Sequence, residues 1–432
     1  MKVVADLHIH SPFSRAVSRE MSLKNVERGA IAKGLQVVGT GDFTHPLWRR
    51  EIKALEMEVG LYKTKDVGAV RFIISGEVCT NFEVKGKMRR IHHVILLPSI
   101  EAAEELSSLL GKRGNLEADG RPNLSMTGAE LAEAVSDLGE DAMLIPAHIW
   151  TPWFSLFGDR GGVNSLEECY EDMVPHIYAL ETGLSSDPPM NWRVSALDRY
   201  TLLSNSDSHS PNPWRIGREA NILDVPNLAY GDIVETIKHH KERVTTVEVD
   251  PSYGKYHWTG HRDCNISVPP GEAVRLNGVC PICGKKMTKG VAERVEELAD
   301  REEGVVPEGA QKYIKTLPLS EIIAMVIRKD VFSAEVQKRY WGIVAKFNSE
   351  MEALIYAPRD ALVEACGEEI TEVIERSREG KLVIEPGYDG VYGKPVISAV
   401  EPRRSEEASK PARRGERFLR KGRNLDDYTS QG

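Results

Sequence analysis

The sequence predicts an α/β protein whose first half folds as a closed (β/α) barrel of seven strands. Three observations carry this. Seven short apolar runs, at 3–7, 35–40, 70–76, 93–97, 142–146, 177–181 and 201–204, recur through residues 1–245. Helical patterns separate most of them, as over 127–138, where Ala and Leu recur beside Glu and Ser. Metal-ligating side chains gather where the runs end. Alternating strands and helices imply parallel pairing through crossovers, and polar residues collected at strand ends favour a barrel. An open doubly wound sheet would carry a Gly-rich phosphate loop after its first strand. That position reads His8-Ile9-His10-Ser11-Pro12.

The first run leads into Asp6-Leu7-His8-Ile9-His10 and the second into Asp42 and His45. Glu77 follows the third, and His92-His93 abuts the fourth. His148 follows the fifth, and Asp207 and His209 follow the seventh. Neighbours in a strand point to opposite faces, so only one of His92 and His93 faces a common centre. The metal set is read as His8, His10, Asp42, Glu77, His93, His148, Asp207 and His209, with the choice of His93 over His92 left open. His45 is a ligand, an acid beside the centre, or a turn residue before Pro46. Eight ligands are too many for one ion and suit two or three. Imidazole suits Zn, Mn and Fe, and carboxylates bridge ions. Clustered divalent ions supply a hydroxide nucleophile and neutralise charge on a transferring phosphoryl group, so the chemistry indicated is phosphate-ester hydrolysis.

The pattern changes near 250. Residues 246–305 hold His261, Cys264, Cys280 and Cys283, two pairs of soft ligands separated by fifteen residues, the spacing of a zinc ribbon or knuckle. One structural zinc is expected there, with His257 the rival of His261. Tyr253, Tyr256 and Trp258 interleave with Lys255 and Arg262, a mixture that stacks on bases and contacts phosphate or else forms the module's core. Residues 306–397 read as mostly helical. Ile322, Ile323, Val326, Ile327 and then Ile343, Val344, Phe347, Met351 and Leu354 fall at i, i+3, i+4 spacings, with Pro318 and Pro358 at helix starts. Residues 398–432 lack apolar periodicity and read as a disordered tail. It carries nine Lys+Arg against six Asp+Glu within 401–432 and no convincing sliding-clamp-binding motif.

Six sparse cysteines exclude a disulfide scaffold and fit a reducing, cytoplasmic setting. No apolar run approaches the ~18 residues that span a membrane, and Val3-Val4-Ala5 reads as core rather than as a targeting segment. The net charge of −9 argues against a nucleic-acid coat protein but not against a nuclease, whose bound cations and local patches it ignores.

Asp6-Leu-His-x-His10, Gly41-Asp42, Gly76-Glu77, His93, Pro146-Ala-His148 and Ser206-Asp207-Ser-His209 resemble the motifs of the polymerase-and-histidinol-phosphatase (PHP) family. The resemblance implies a PHP-type distorted seven-stranded (β/α) barrel with a di- or trinuclear centre of Zn, Mg or Mn. His8, His10, Glu77 and Asp207 would hold one ion, and Glu77 would bridge to a second held by His93 and His148. His209 and Asp42 would serve a third. Ser14-Arg15-Ala16 stands where many members have a further histidine, which puts the third ion in doubt. Arg15 there is either a phosphate fork or a solvent-facing arginine.

Longer stretches resemble one branch, the endonuclease Q family. They are Pro146–Phe154, Ala179–Asp187, Asn191–Asp198, Gly260–Cys264, Arg294–Arg301 and Ile384–Gly393. The resemblance covers residues 1–395 in order. It implies a metal-dependent DNA repair endonuclease that cuts 5′ to deaminated bases (uracil, hypoxanthine, xanthine) and abasic sites, leaving 3′-hydroxyl and 5′-phosphate ends. Asp207, His209, Asp42 and Arg15 are its candidate catalytic residues. An enzyme acting on a damaged base takes it out of the stack into a pocket. Trp150, Trp153, Phe154, Ser186 and Asn191, on loops that leave the metal face, are the candidate pocket. Damaged DNA is the expected partner, and a replication or repair factor is not readable. The alternative is a PHP phosphoesterase acting on a small phosphomonoester such as histidinol phosphate, which would need residues 1–245 alone.

Overall fold

The computed structural model describes residues 1–396. The expected tail at 398–432 lies outside the described residues. The strands that place the site are β1 (Lys2–Asp6), β2 (Val37–Gly39), β3 (Arg71–Val84), β4 (Lys87–Leu97), β5 (Met143–Pro146), β6 (Ala179–Glu181) and β7 (Thr201–Leu203). They are followed by β8 (Ala220–Asp224), β9 (Val244–Glu248) and β10 (Lys312–Lys315). Each expected apolar run overlaps one of β1–β7.

Pairing departs from the expected all-parallel pattern. β1–β2, β2–β3 and β6–β7 are parallel. β3–β4, β4–β5 and β1–β8 are antiparallel. The cause at β3–β4 is local. Lys85 and Gly86, the two residues between these strands, have φ of 52° and 75°. Two positive φ values make the tight hairpin turn whose twist matches antiparallel strands, and no crossover helix fits in two residues. The expected runs 70–76 and 93–97 are the two ends of one long hairpin.

The ladders do not form a closed, continuously hydrogen-bonded barrel. β6 and β7 make a separate two-stranded sheet. It packs between β5 and β9, and one parallel bridge, Ile9 to Ser208, joins the chain beyond β7 to the chain beyond β1. The architecture is a mixed α/β sheet with helices on it, curled so that β1–β7 follow one another around an interior. Alternate strand residues separate two cores. Val3, Ala5, Leu7, Ile73, Val94, Leu96, Ile145 and Leu203 pack in one, and Val4, Ile9, Val38, Phe72, Ile74 and Ile95 in the other. Burial on both faces explains why the runs read as continuously apolar.

Local chemistry sets the helices between strands. Ser22 caps the helix Leu23–Lys33 by accepting from the Asn25 N–H, and Gly34 ends it at φ 99°. Thr127 and Glu130 form a capping box on Gly128–Ser136. β10, which heads the last segment, pairs in parallel with β9 and so joins the main sheet. The helices after it share a buried ion pair with the first half: Lys33 Nζ lies 2.7 Å from Glu350 Oε1, which also accepts from Leu319 N–H. Among the described residues no helix is long and apolar enough to cross a membrane.

Candidate metal centre

Two donor triads face each other inside the ring of strands. His8, His10 and Asp207 form one, and Glu77, His92 and His148 the other. Glu77 stands between them. Its Oε1 is 2.8 Å from His92 Nδ1, 3.0 Å from His148 Nε2 and 3.7 Å from His8 Nε2. Its Oε2 is 3.6 Å from His10 Nε2. Asp207 Oδ1 lies 2.8 Å from His10 Nε2 and 3.7 Å from His8 Nε2. The backbone bends sharply to place these groups: Asp42, His148 and Asp207 have φ of 45°, 31° and 46°. Left-handed conformations at residues other than glycine cost free energy and cluster at functional sites.

The electrostatics are those of a centre assembled for cations. Burial pushes the Glu77 carboxyl up, yet His92 and His8 hold it well below the usual carboxylate range. Burial pushes His10 down, but Asp42 and Asp207 raise it to about 9. Asp207 is likewise held low by His10 and His8 against the effect of burial. His8 Nε2 and Glu77 Oε2 are buried with no hydrogen-bond partner. Orphaned buried polar atoms need a reason, and lone pairs aimed at a shared cation supply one. The donor set fits divalent ions.

The structure places the expected residues unevenly. His8, His10, Glu77, His148 and Asp207 come together. His93 does not: its Nε2 meets the Thr80 hydroxyl at 2.9 Å and its Nδ1 the Tyr170 hydroxyl at 3.0 Å. Burial pushes His93 down to about 3. Strand alternation turns His92 inward instead, so His92 replaces His93. Asp42 is also corrected. Its Oδ1 accepts from His10 Nδ1 at 3.0 Å, and its Oδ2 accepts from Ser11 N–H, Ser11 Oγ and Ser14 Oγ at 2.6 to 2.8 Å. With both oxygens engaged it orients His10 rather than holding a third ion. His209 borders the centre, its ring 4.7 Å from that of His10 and its Nδ1 2.8 Å from the Asp207 carbonyl. Arg15 is 90% exposed, its Nε 4.0 Å from Asp119 Oδ2, a solvent-facing arginine in this structure. His45 is stacked on Phe13 outside the triads.

Two residues went unread in the sequence. Glu181, at the end of β6, holds His8 Nδ1 at 3.0 Å and accepts from the His148 N–H and Asn205 Nδ2 at 2.8 Å each. It orients donors in both triads, the outer-sphere task that metal-bound histidines require. Its signal was an acid ending the sixth run. Arg121 places Nη1 3.8 Å from Glu77 Oε2. Nothing in Gly120-Arg121-Pro122 beyond the turn residues marked it.

The loop after His148 splits the expected pocket. Trp150 is buried and donates to Asn191 Oδ1 at 2.8 Å. Asn191 Nδ2 donates to the Asp187 carbonyl and to Ser186 Oγ, which donates to the Thr182 carbonyl. Trp150, Ser186 and Asn191 therefore satisfy one another inside the protein and present no base-reading edge. Phe154 remains at the surface, 37% exposed and stacked on His92 with ring centroids 5.0 Å apart. Trp153 meets Tyr256 edge-on at 4.9 Å. Arg294, on the helix Val291–Leu298, donates to the carbonyls of Phe157 and Val163 and so ties the cysteine-bearing second segment of the chain to this loop.

The second donor group joins His261, Cys264, Cys280 and Cys283, whose ligand atoms lie within 4.8 Å of one another. His261 Nδ1 is 3.5 Å from Cys283 Sγ. His257 is not part of the group. Gly284, at φ 70°, returns its N–H to the Cys280 carbonyl and closes the turn carrying both thiols. Burial pushes the Cys280 thiol up, but the N–H groups of Cys283 and Ile282 bring it down to about 6. The set has the composition of a zinc-binding group.

Comparison with known proteins places this architecture. Residues 318–381 match the family described as MJ0043 C-terminal domain. The uncharacterized protein YqxK of Bacillus subtilis is 30% identical over 91% of this chain and 99% of its own length. The uncharacterized protein MJ0043 of Methanocaldococcus jannaschii is 36% identical over 57% of the chain, which spans only 31% of that relative. The crystal structure of the lesion-specific endonuclease PfuEndoQ from Pyrococcus furiosus superposes with a TM-score of 0.83 at 35% identity, covering 95% of this chain and 100% of that one. An Endonuclease Q complex with a 27-mer duplex bearing an abasic lesion at the active site gives 0.82 at 36% identity, covering 92% and 97%. Fold, donor clusters and relatives define an enzyme of the endonuclease class. The chain belongs to the endonuclease Q family.

Proposed function

We propose that this protein is a metal-dependent DNA repair endonuclease that cuts the phosphodiester 5′ to an abasic site or a deaminated base (uracil, hypoxanthine, xanthine). The lesion nucleotide is turned out of the duplex before cleavage. The observation that carries this reading is the pair of triads, with Glu77 of one reaching toward His8 and His10 of the other, set beside the exposed ring of Phe154, in a chain alike over nearly its whole length to an endonuclease seen with an abasic duplex.

His8, His10 and Asp207 would hold one divalent ion, and His92 and His148 a second, with Glu77 between them. Two ions fit the available donors better than three, because Asp42 is fully engaged. Such ions supply a hydroxide at neutral pH and neutralise charge on the scissile phosphate. Glu181 and Asp42 fix the donor rings from behind. His209, at the rim beside Asp207, would give a proton to the leaving oxygen, which becomes a 3′-hydroxyl. Phe154 and Trp153 offer stacking faces to an unpaired base or its neighbours. The His261–Cys283 group takes one structural Zn and holds its module against the Trp153 loop through Tyr256. Free thiols and this group suit a cytoplasmic protein.

End-labelled duplexes with a single uracil, hypoxanthine, xanthine or abasic site, incubated with Mg²⁺, Mn²⁺ or Zn²⁺, test the reading. Incision on the 5′ side of the lesion, absent from the undamaged duplex, is expected. Hydrolysis of histidinol phosphate without incision of any duplex would favour a small-molecule phosphoesterase instead.

A further inference from the structure

Arg121 is held at the metal centre from both sides. Before it, Gly120 lies against the Asp42 group: a Cβ there would stand 2.3 Å from Asp42 Oδ2 and 2.4 Å from Ser14 Oγ. The Gly120 N–H donates to the Phe13 carbonyl at 3.1 Å, and the Thr44 hydroxyl donates to the Gly120 carbonyl at 3.3 Å. After it, the Pro122 carbonyl accepts from Cys79 N–H at 3.0 Å, and Asn123 and Leu124 pair with β3 at Cys79 and Thr80. Asp119 Oδ1 accepts the Arg121 N–H at 3.1 Å. A residue without a side chain is thus used to bring this turn down onto the centre, and what the turn delivers is a guanidinium 3.8 Å from Glu77 Oε2.

The acids around that guanidinium are Glu77, Asp207, Asp119 and Asp42. Asp42 is already engaged by His10, Ser11 and Ser14. Once divalent ions take the donors, the charges of Glu77 and Asp207 are spent on them. A fixed cation would then be left beside other cations, an arrangement that is unfavourable by Coulomb's law in a partly buried site. An anion bound between them removes the conflict, and a planar fork of N–H donors matches the oxygens of a phosphate. We propose that Arg121 is a catalytic residue of this centre, donating to a non-bridging oxygen of the scissile phosphate and stabilising the charge that grows there. This rests on the reading of the centre as a phosphodiester hydrolase.

The test uses the full chain loaded with Mn²⁺, with Arg121→Met and Arg121→Lys compared with wild type and with Arg113→Met, an exposed arginine paired with Glu130. Inorganic phosphate affinity, metal content, melting midpoint and cleavage of an abasic duplex are measured. Arg121→Met is expected to keep its metal and its melting midpoint, to bind phosphate on the order of 10-fold more weakly, and to lose on the order of 100-fold in kcat, as for loss of one preorganised donor. Arg121→Lys, a point charge without the fork, should fall between. Unchanged phosphate affinity in Arg121→Met would overturn the proposal, and so would loss of metal in step with activity, because the residue would then be supporting Glu77. A wild type that binds phosphate but cuts no duplex would defeat the endonuclease reading, while the phosphate measurement still decides the role of Arg121.

Discussion

The two donor groups of this protein are built on opposite plans. The His261 group has four donors, three of them thiols, closed by a glycine turn and a short hairpin, the number that fills a tetrahedral shell. The Glu77 centre mixes imidazoles with carboxylates drawn from strands far apart in sequence. It is braced by Asp42 and Glu181, strained at His148 and Asp207, and bordered by Arg121 and Phe154. A closed soft set contributes folding energy, and an open hard set with orphaned donors keeps coordination for substrate. Nature of ligand and openness, rather than number of histidines, separate a structural ion from a reactive one.

The sharpest way to break that contrast is to remove one donor from each group. Asp207→Ala should lower incision by on the order of 1,000-fold, the several kcal/mol that a metal centre contributes to the transition state, with duplex binding retained in a gel-shift titration. Cys283→Ser should behave in the reverse manner. A structural zinc in such a set contributes of order 10 kcal/mol of folding free energy, so metal content should drop by one ion and the module should become sensitive to protease. Hydrolysis of a small phosphodiester such as bis(p-nitrophenyl) phosphate should survive. Equal loss of that small-substrate activity in both variants would erase the distinction.

A finer test lies within one dipeptide. His92→Ala should lose a metal ion and activity with little change in melting. His93→Ala should keep its ions and lose about 1–3 kcal/mol of stability, since Thr80 and Tyr170 are left unpaired in the core. The reverse pattern, read by metal analysis and denaturant titration, would return His93 to the centre.

The smallest effect expected concerns Glu248, buried on β9, where the Thr182 and Ser204 hydroxyls donate to its carboxylate. Burial pushes its carboxyl up to about 8, above an ordinary unfolded carboxyl. The folded state therefore holds a proton that the unfolded chain releases. Its contribution to stability is fully present below the unfolded pKa and is lost as pH rises through about 8. Glu248→Gln should flatten the fall in melting temperature across that window. An identical pH slope in both proteins would show that Glu248 is ionised in the fold.

How much was legible follows the same physics. His8, His10, Glu77, His148 and Asp207 were readable because each ends or interrupts an apolar run, where a charged group has few reasons to be buried. The choice between His92 and His93 was not, since it depends on register, which the Lys85-Gly86 turn sets by pairing β3 with β4. That same turn hid the antiparallel hairpin: two residues of turn chemistry outweighed the strand–helix alternation that suggested parallel pairing throughout. Asp42 looked like a ligand because sequence shows residue type but not what its oxygens already hold. Trp150 and Asn191 looked like a pocket because both lie on site-face loops, whereas the Trp150 indole N–H and the Asn191 amide oxygen find each other in the interior. Arg121 gave no pattern at all, because its position depends on the missing Cβ of Gly120.

A two-ion centre joined through Glu77 is proposed to cut DNA beside a lesion. Its most direct test is to strip the weakly held ions with a mild chelator, confirm that the cysteine-bound ion remains, and follow incision of an end-labelled abasic duplex as Mn²⁺ is returned. The stripped protein should be silent, with 5′-side incision restored in proportion to metal and saturating near two equivalents per chain. Full incision by the stripped protein, or no lesion-dependent incision at any metal concentration, would contradict it.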